Sequence, residues 1–139
     1  GDGAFLMTGL ESVTAASNAI GAIGFVFNDG ELAQIAQAQE IPYQRTACID
    51  VGKLNYEAFA AATGAVYVGI HSDGELAEGI AAALKASADN KPVLVDVRID
   101  YSKKTRFTVG TVKTNLKRFD TKNKLRIVGR ALKRKLFGA

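Results

Sequence analysis

The chain has 139 residues, with 18 Lys and Arg against 14 Asp and Glu, one His, one Cys, no Trp and 47% hydrophobic residues. That length and apolar content suit one folded domain and exclude wholesale disorder. The net charge of +4 averages two opposite parts: residues 1–100 carry five basic side chains against thirteen acidic ones, and residues 101–139 carry thirteen basic ones against Asp120 alone. The expected organisation is an acidic globular body (1–100) followed by a basic tail (101–139). Cys48 has no partner for an internal disulfide and forms no metal pattern with His71. A reducing compartment, the cytoplasm, is therefore expected. No run approaches the roughly 18 apolar residues of a membrane span, and no basic segment followed by an apolar one marks a signal peptide.

In chain order, Gly1-Asp2-Gly3 reads as a turn with no element before it, as though the chain were the end of something longer. Thr8-Gly9-Leu10-Glu11 has capping-box spacing, and Val13, Ala16 and Ile20 follow at helical intervals, predicting a helix over 8–19. The apolar run Ala22 to Phe27, bounded by Gly21 and Asn28-Asp29-Gly30, predicts a strand buried on both faces. Glu31 to Gln39 predicts a helix, 40–54 a loop, Asn55 to Thr63 a helix closed by Gly64, and Val66 to Ile70 a strand. Ser72-Asp73-Gly74-Glu75 is a second capping box opening a helix to about Ser87, and Pro92 to Ile99 is the last strand. Alternating helices and short apolar strands predict an α/β fold with a doubly wound parallel sheet. In the tail, 102–122 has no firm period, whereas 123–137 places Leu125, Val128, Leu132 and Leu136 along one face of a basic amphipathic helix.

The strongest chemical signal is Gly1-Asp2-Gly3 followed, a helix and a strand later, by Asn28-Asp29-Gly30. Ligands of open parallel sheets gather at the C-terminal ends of strands, so both segments should reach one crevice. An Asp carboxylate, an Asn side-chain oxygen and a free backbone carbonyl are hard ligands of the kind Mg²⁺ takes, its shell completed by phosphate and water. Glycines let the backbone approach a phosphate closely, and the helix entered at Thr8 should aim its positive end the same way. The chemistry implied is a metal-bridged diphosphate.

Together these segments resemble the diphosphate and metal signature of thiamine diphosphate enzymes. Gly1-Asp2-Gly3-Ala4-Phe5-Leu6-Met7 and Phe27-Asn28-Asp29-Gly30-Glu31-Leu32 resemble the acetolactate synthase branch. So do Asn55-Tyr56-Glu57-Ala58-Phe59-Ala60 through Gly64-Ala65 and the closing Pro92-Val93-Leu94-Val95-Asp96-Val97. The resemblance covers roughly 1–100 and implies a C-terminal diphosphate-binding domain, truncated at its N-terminus, of a longer enzyme. It implies that Asp2, Asn28 and the Gly30 carbonyl bind Mg²⁺, that Gly1, Gly3, Ala4, Glu31 and Leu32 hold the diphosphate of thiamine diphosphate, and that Met7 lines its pocket. The implied reaction is decarboxylation and carboligation of a 2-oxo acid such as pyruvate, in a dimer or tetramer of the parent, with FAD a further cofactor open in that parent. The activating glutamate of the family belongs to an N-terminal pyrimidine-binding domain, so no catalytic residue is assigned here and this segment alone is expected to be inactive. One departure concerns substrate: where the family carries a Trp in the helix after the Asn, this sequence has Ala38, leaving acceptor preference open. The pyruvate oxidase branch, another 2-oxo acid decarboxylase, and a non-catalytic basic-tailed binding module are the alternatives.

Several residues have blander readings. Asp29 and Glu31 suit a solvated helix N-terminus, His71 a surface turn, and Cys48 an inert loop position, while Tyr43 and Gln44 have only their loop placement to point to substrate. The basic tail is expected to pack on the enzyme's own acidic surface, its other domains or a second subunit. Nucleic acid or a membrane surface is the less favoured partner, since no nucleic-acid motif accompanies the charge.

Overall fold

A computed structural model describes residues 1–43, 45–100, 114 and 117–137. In chain order it contains α1 (Asp2–Thr8), α2 (Glu11–Ser17), β1 (Ile23–Asn28), α3 (Ala33–Tyr43), α4 (Tyr56–Thr63), β2 (Val66–Ile70), a 3₁₀ turn (Asp73–Glu75), α5 (Leu76–Ala88), β3 (Val93–Arg98) and α6 (Thr121–Phe137). The chain divides into two compact units, Gly1–Glu31 with Asp50–Asp100, and Leu32–Ile49 with the residues from 101 onward.

The first unit is the α/β fold expected. Its three strands are all parallel in the order β1-β3-β2, with Val26 and Gly69 opposite Asp96 on the central strand. Apolar side chains alternate between two cores. On one face Val26 and Leu94 bury Tyr56 and Ala60 of α4, with Phe5 of α1 and Tyr67 packed alongside. On the other, Ile70, Val93 and Val95 bury Ala83 of α5, joined by Ile23, Val66 and Val68. The chain moves from β1 past β3 to β2 by way of α4, then back to β3 by way of α5. Reversing both direction and face keeps the two crossovers of one hand, as parallel connections require. Gly79 allows α5 to lie close on β2, since a Cβ there would stand 2.6 Å from Ile70 Cγ1.

Local chemistry sets the element ends. Asn55 caps α4 by accepting the Ala58 N–H at 3.0 Å, and Gly64 closes that helix in a left-handed conformation. At the second expected capping box, Glu75 instead accepts the His71 N–H at 2.8 Å and the Ser72 hydroxyl at 3.0 Å. That arrangement stabilises a 3₁₀ turn before α5.

Several expectations are corrected. β1 is not buried on both faces: Val26 is buried, but Phe25 and Phe27 are half-exposed. Gly1-Asp2-Gly3 is not a turn; it opens α1, with Gly1 as the N-cap, and of the helix predicted over 8–19 only α2 (Glu11–Ser17) forms, after a break at Gly9-Leu10. Asp2 in the first turn offsets the helix-breaking tendency of Gly3, because a carboxylate there meets the positive end of the helix. Thr8 closes α1 rather than opening a helix, its hydroxyl donating back to the Ala4 carbonyl at 3.3 Å. The helix end tied to the loop after β1 is thus at Gly1-Asp2, through the Asp2–Gly30 bond, not at Thr8. The predicted loop over 40–54 is also shorter, since α3 runs to Tyr43 and ends one residue past Pro42.

In the second unit α3 packs against α6, and Ala36 and Ile127 are its buried apolar side chains among the described residues. Leu125, Val128, Leu132 and Leu136 are exposed. Ile127 lies two positions from Leu125, roughly 200° around the helix, so α6 buries the side opposite the apolar stripe. Gln44 and most of 102–122 lie outside the described residues.

Candidate functional site

Asp2 organises the C-terminal end of β1. Its carboxylate is 3% exposed. One oxygen accepts the Gly3 N–H at 2.8 Å and the other accepts the Gly30 N–H at 2.8 Å. The first turn of α1 is thereby tied to the loop leaving β1. Gly30 has φ +77, a conformation that favours glycine, and its carbonyl accepts the Val51 N–H at 3.1 Å. Glu31 pairs with Asp50 through an antiparallel bridge, so the loop is held on both sides.

Asn28, the last residue of β1, donates its side-chain N–H to Asp96 at 3.0 Å. Asp96 is 8% exposed in the middle of the central strand. Its other oxygen accepts the Tyr67 hydroxyl at 3.4 Å and lies 3.9 Å from His71 Nε2. The sequence reading missed Asp96 and Tyr67 as members of the site. A charge interrupting the apolar run Val93-Leu94-Val95 was the available signal, because an acid on a central strand must find donors.

The electrostatics follow from these carboxylates. Burial, and then the charges of Asp2 and Asp96, push the Tyr56 hydroxyl up to about 12. Burial and the adjacent Asp96 also raise Tyr67, keeping it a donor. Burial raises the Asp29 carboxyl, and the nearby Asp2 charge adds to the rise. The backbone N–H of His71 and the Ser72 hydroxyl hold Glu75 below the usual carboxylate range.

Next to Asn28 a cleft of about 760 Å³ opens at the C-terminal ends of the strands, lined by Asn28, Asp29, Gly30, His71, Ser72 and Arg98 among others. Of the expected site residues, the structure joins Asp2, Gly3 and Gly30 in one hydrogen-bonded group and, two residues before Gly30, pairs Asn28 with Asp96. Gly1 caps α1 beside them. Ala4 is exposed, Met7 is 80% exposed, Glu31 points to solvent, and Leu32 falls in the second unit. Cys48 is free and exposed, His71 is half-exposed, and Tyr43 is exposed.

The oxygens gathered at this strand end are of the kind a hard divalent cation takes. Asp2 is a buried carboxylate that accepts two backbone N–H groups, and each of its oxygens keeps a lone pair. The Gly30 carbonyl likewise keeps one beyond its bond to Val51. Asn28 has its nitrogen committed to Asp96, which leaves its oxygen as the atom available to accept. Among the described residues no group of three His, Cys, Asp or Glu comes together, so the candidate set is this mixed one of carboxylate, amide and backbone oxygens.

Comparison with known proteins bears on the same segment. Residues 1–97 match the family described as thiamine pyrophosphate enzyme, C-terminal TPP binding domain. An acetolactate synthase from Bacillus subtilis is 31% identical over 102 residues, 73% of this chain and 17% of that protein. A Mycobacterium tuberculosis protein named for an acetolactate synthase large subunit, IlvB2, is 33% identical over 100 residues, 72% of this chain and 18% of that protein. The chain therefore spans less than a fifth of the length of either relative.

Proposed function

Because the chain belongs to the family of thiamine pyrophosphate enzyme C-terminal TPP binding domains, we propose that it holds the diphosphate and the metal in an acetolactate synthase-like enzyme acting on 2-oxo acids. The observation that carries this reading is the Asp2 carboxylate, buried and bridging the start of α1 to Gly30 at 2.8 Å. It joins the two segments whose oxygens suit Mg²⁺.

In this reading Asp2, the Asn28 oxygen and the Gly30 carbonyl would hold Mg²⁺, whose charge would offset that of the diphosphate. The backbone N–H groups of Gly1 and Gly3, at the positive end of α1, would be the donors nearest the phosphate. Bound there, thiamine diphosphate supplies the nucleophilic carbon that adds to the carbonyl of a 2-oxo acid such as pyruvate. The chain's own work is positioning and charge compensation. Activation of the cofactor would fall to a carboxylate from a pyrimidine-binding segment of the same enzyme or its oligomeric partner.

The test is acetolactate formation from pyruvate by the intact protein with Mg²⁺ and thiamine diphosphate. Wild type should turn over, and Asp2→Ala should not, since a hard ligand and its charge are lost together. Activity retained in Asp2→Ala would place the metal elsewhere.

A further inference from the structure

Asp96 lies outside the expected ligand set, yet the geometry around it is directed. Asp96 and Asn28 sit on one face of the sheet, two register positions apart on neighbouring strands, and their side chains meet at 3.0 Å. An ionised carboxylate only accepts, so it selects one orientation of the Asn28 amide. Turning that amide over would set its oxygen against the Asp96 oxygen. Tyr67 holds the second Asp96 oxygen from the other side. Gly69, opposite Asp96 on β2, leaves the room for this, since a Cβ there would stand 3.0 Å from the Tyr67 hydroxyl and 3.1 Å from His71 Nε2. A buried carboxylate brings little stability that an apolar side chain of similar size would not. Its return is the fixed orientation of Asn28.

We infer that Asp96 is a positioning residue: by taking the nitrogen of the Asn28 amide, it presents the amide oxygen to the metal. This rests on the reading of Asp2, Asn28 and Gly30 as the metal site. Outer-shell partners of this kind typically alter metal affinity about 10–100-fold when changed.

The test uses Mn²⁺ as a paramagnetic substitute, titrated by electron paramagnetic resonance into the intact protein with thiamine diphosphate present. Asp96→Asn keeps shape and hydrogen bonding but satisfies both orientations of Asn28, so Mn²⁺ affinity should fall about tenfold or more. Exchanging the pair, Asn28→Asp with Asp96→Asn, restores one acceptor-only carboxylate facing one amide and should recover most of the affinity. A purely structural role for Asp96 gives no such recovery. Thermal unfolding of each variant verifies that it is folded. Wild-type affinity in Asp96→Asn, or no recovery in the exchanged pair, overturns the inference. Asp2→Ala separates the two levels. If it binds Mn²⁺ as wild type does, the metal site itself is wrong. If it loses Mn²⁺ while Asp96→Asn keeps it, only the role of Asp96 fails.

Discussion

The two faces of β3 carry different loads. Val93 and Val95 point to an aliphatic core under α5, which contains no charged group. One residue out of phase, Leu94 joins the aromatic core of Phe5, Tyr56 and Phe59, and Asp96 continues that face into a polar cluster at the end of the strand. Strand periodicity alone therefore separates an apolar face from one whose far end carries a buried carboxylate and its donors. The lesson is that a buried carboxylate is tolerated where donors from two neighbouring strands converge, and nowhere else on the sheet.

The harshest way to break the comparison is to move the charge to the other face. Val95 is fully buried with no donor facing it, so Val95→Asp should cost at least about 3 kcal/mol and leave little folded protein by circular dichroism. Trimming the same position is milder. Val95→Ala should lower stability by roughly 2 kcal/mol in denaturant titrations, from lost burial and the cavity left, with Mn²⁺ affinity of the folded protein unchanged. On the polar face the two properties should part company. Asp96→Asn, whose side-chain oxygen still accepts from one of its two donors, is expected to unfold within about 1 kcal/mol of wild type, while Mn²⁺ affinity falls.

The remaining effect is in pH and is confined to the alkaline range. Tyr56 titrates near 10 when unfolded and at about 12 when folded, so the folded state holds its proton more tightly. Stability should be level below pH 10 and decline from there toward pH 12. Tyr56→Phe should flatten part of that decline, as followed by unfolding at fixed pH values.

Much of this was legible in the sequence because the strands are short apolar runs between turn residues, and their periodicity leaves few alternatives. Asp2 and Asn28 stood out for a different reason, their residue types and spacing, and the structure places them at the start of α1 and the end of β1. The start of α1 was not legible, because Gly-Asp-Gly has weak helix propensity and only the first-turn carboxylate and the bond to Gly30 favour the helix. The Asn28–Asp96 contact was hidden more deeply. It spans 68 residues and depends on β3 inserting between β1 and β2, a register that no local pattern encodes. The buried side of α6 was unreadable for a similar reason, since Ile127 against the broader Leu125 to Leu136 stripe is chosen by the packing of α3 on α6.

The central claim is that Asp2, Asn28 and Gly30 present hard oxygens to a metal that carries a diphosphate. Isothermal titration of thiamine diphosphate into wild type and Asn28→Leu, each with and without Mg²⁺, tests it most directly. The account predicts a Mg²⁺-dependent gain in affinity for wild type and none for Asn28→Leu. An equal Mg²⁺ dependence in both proteins would contradict it.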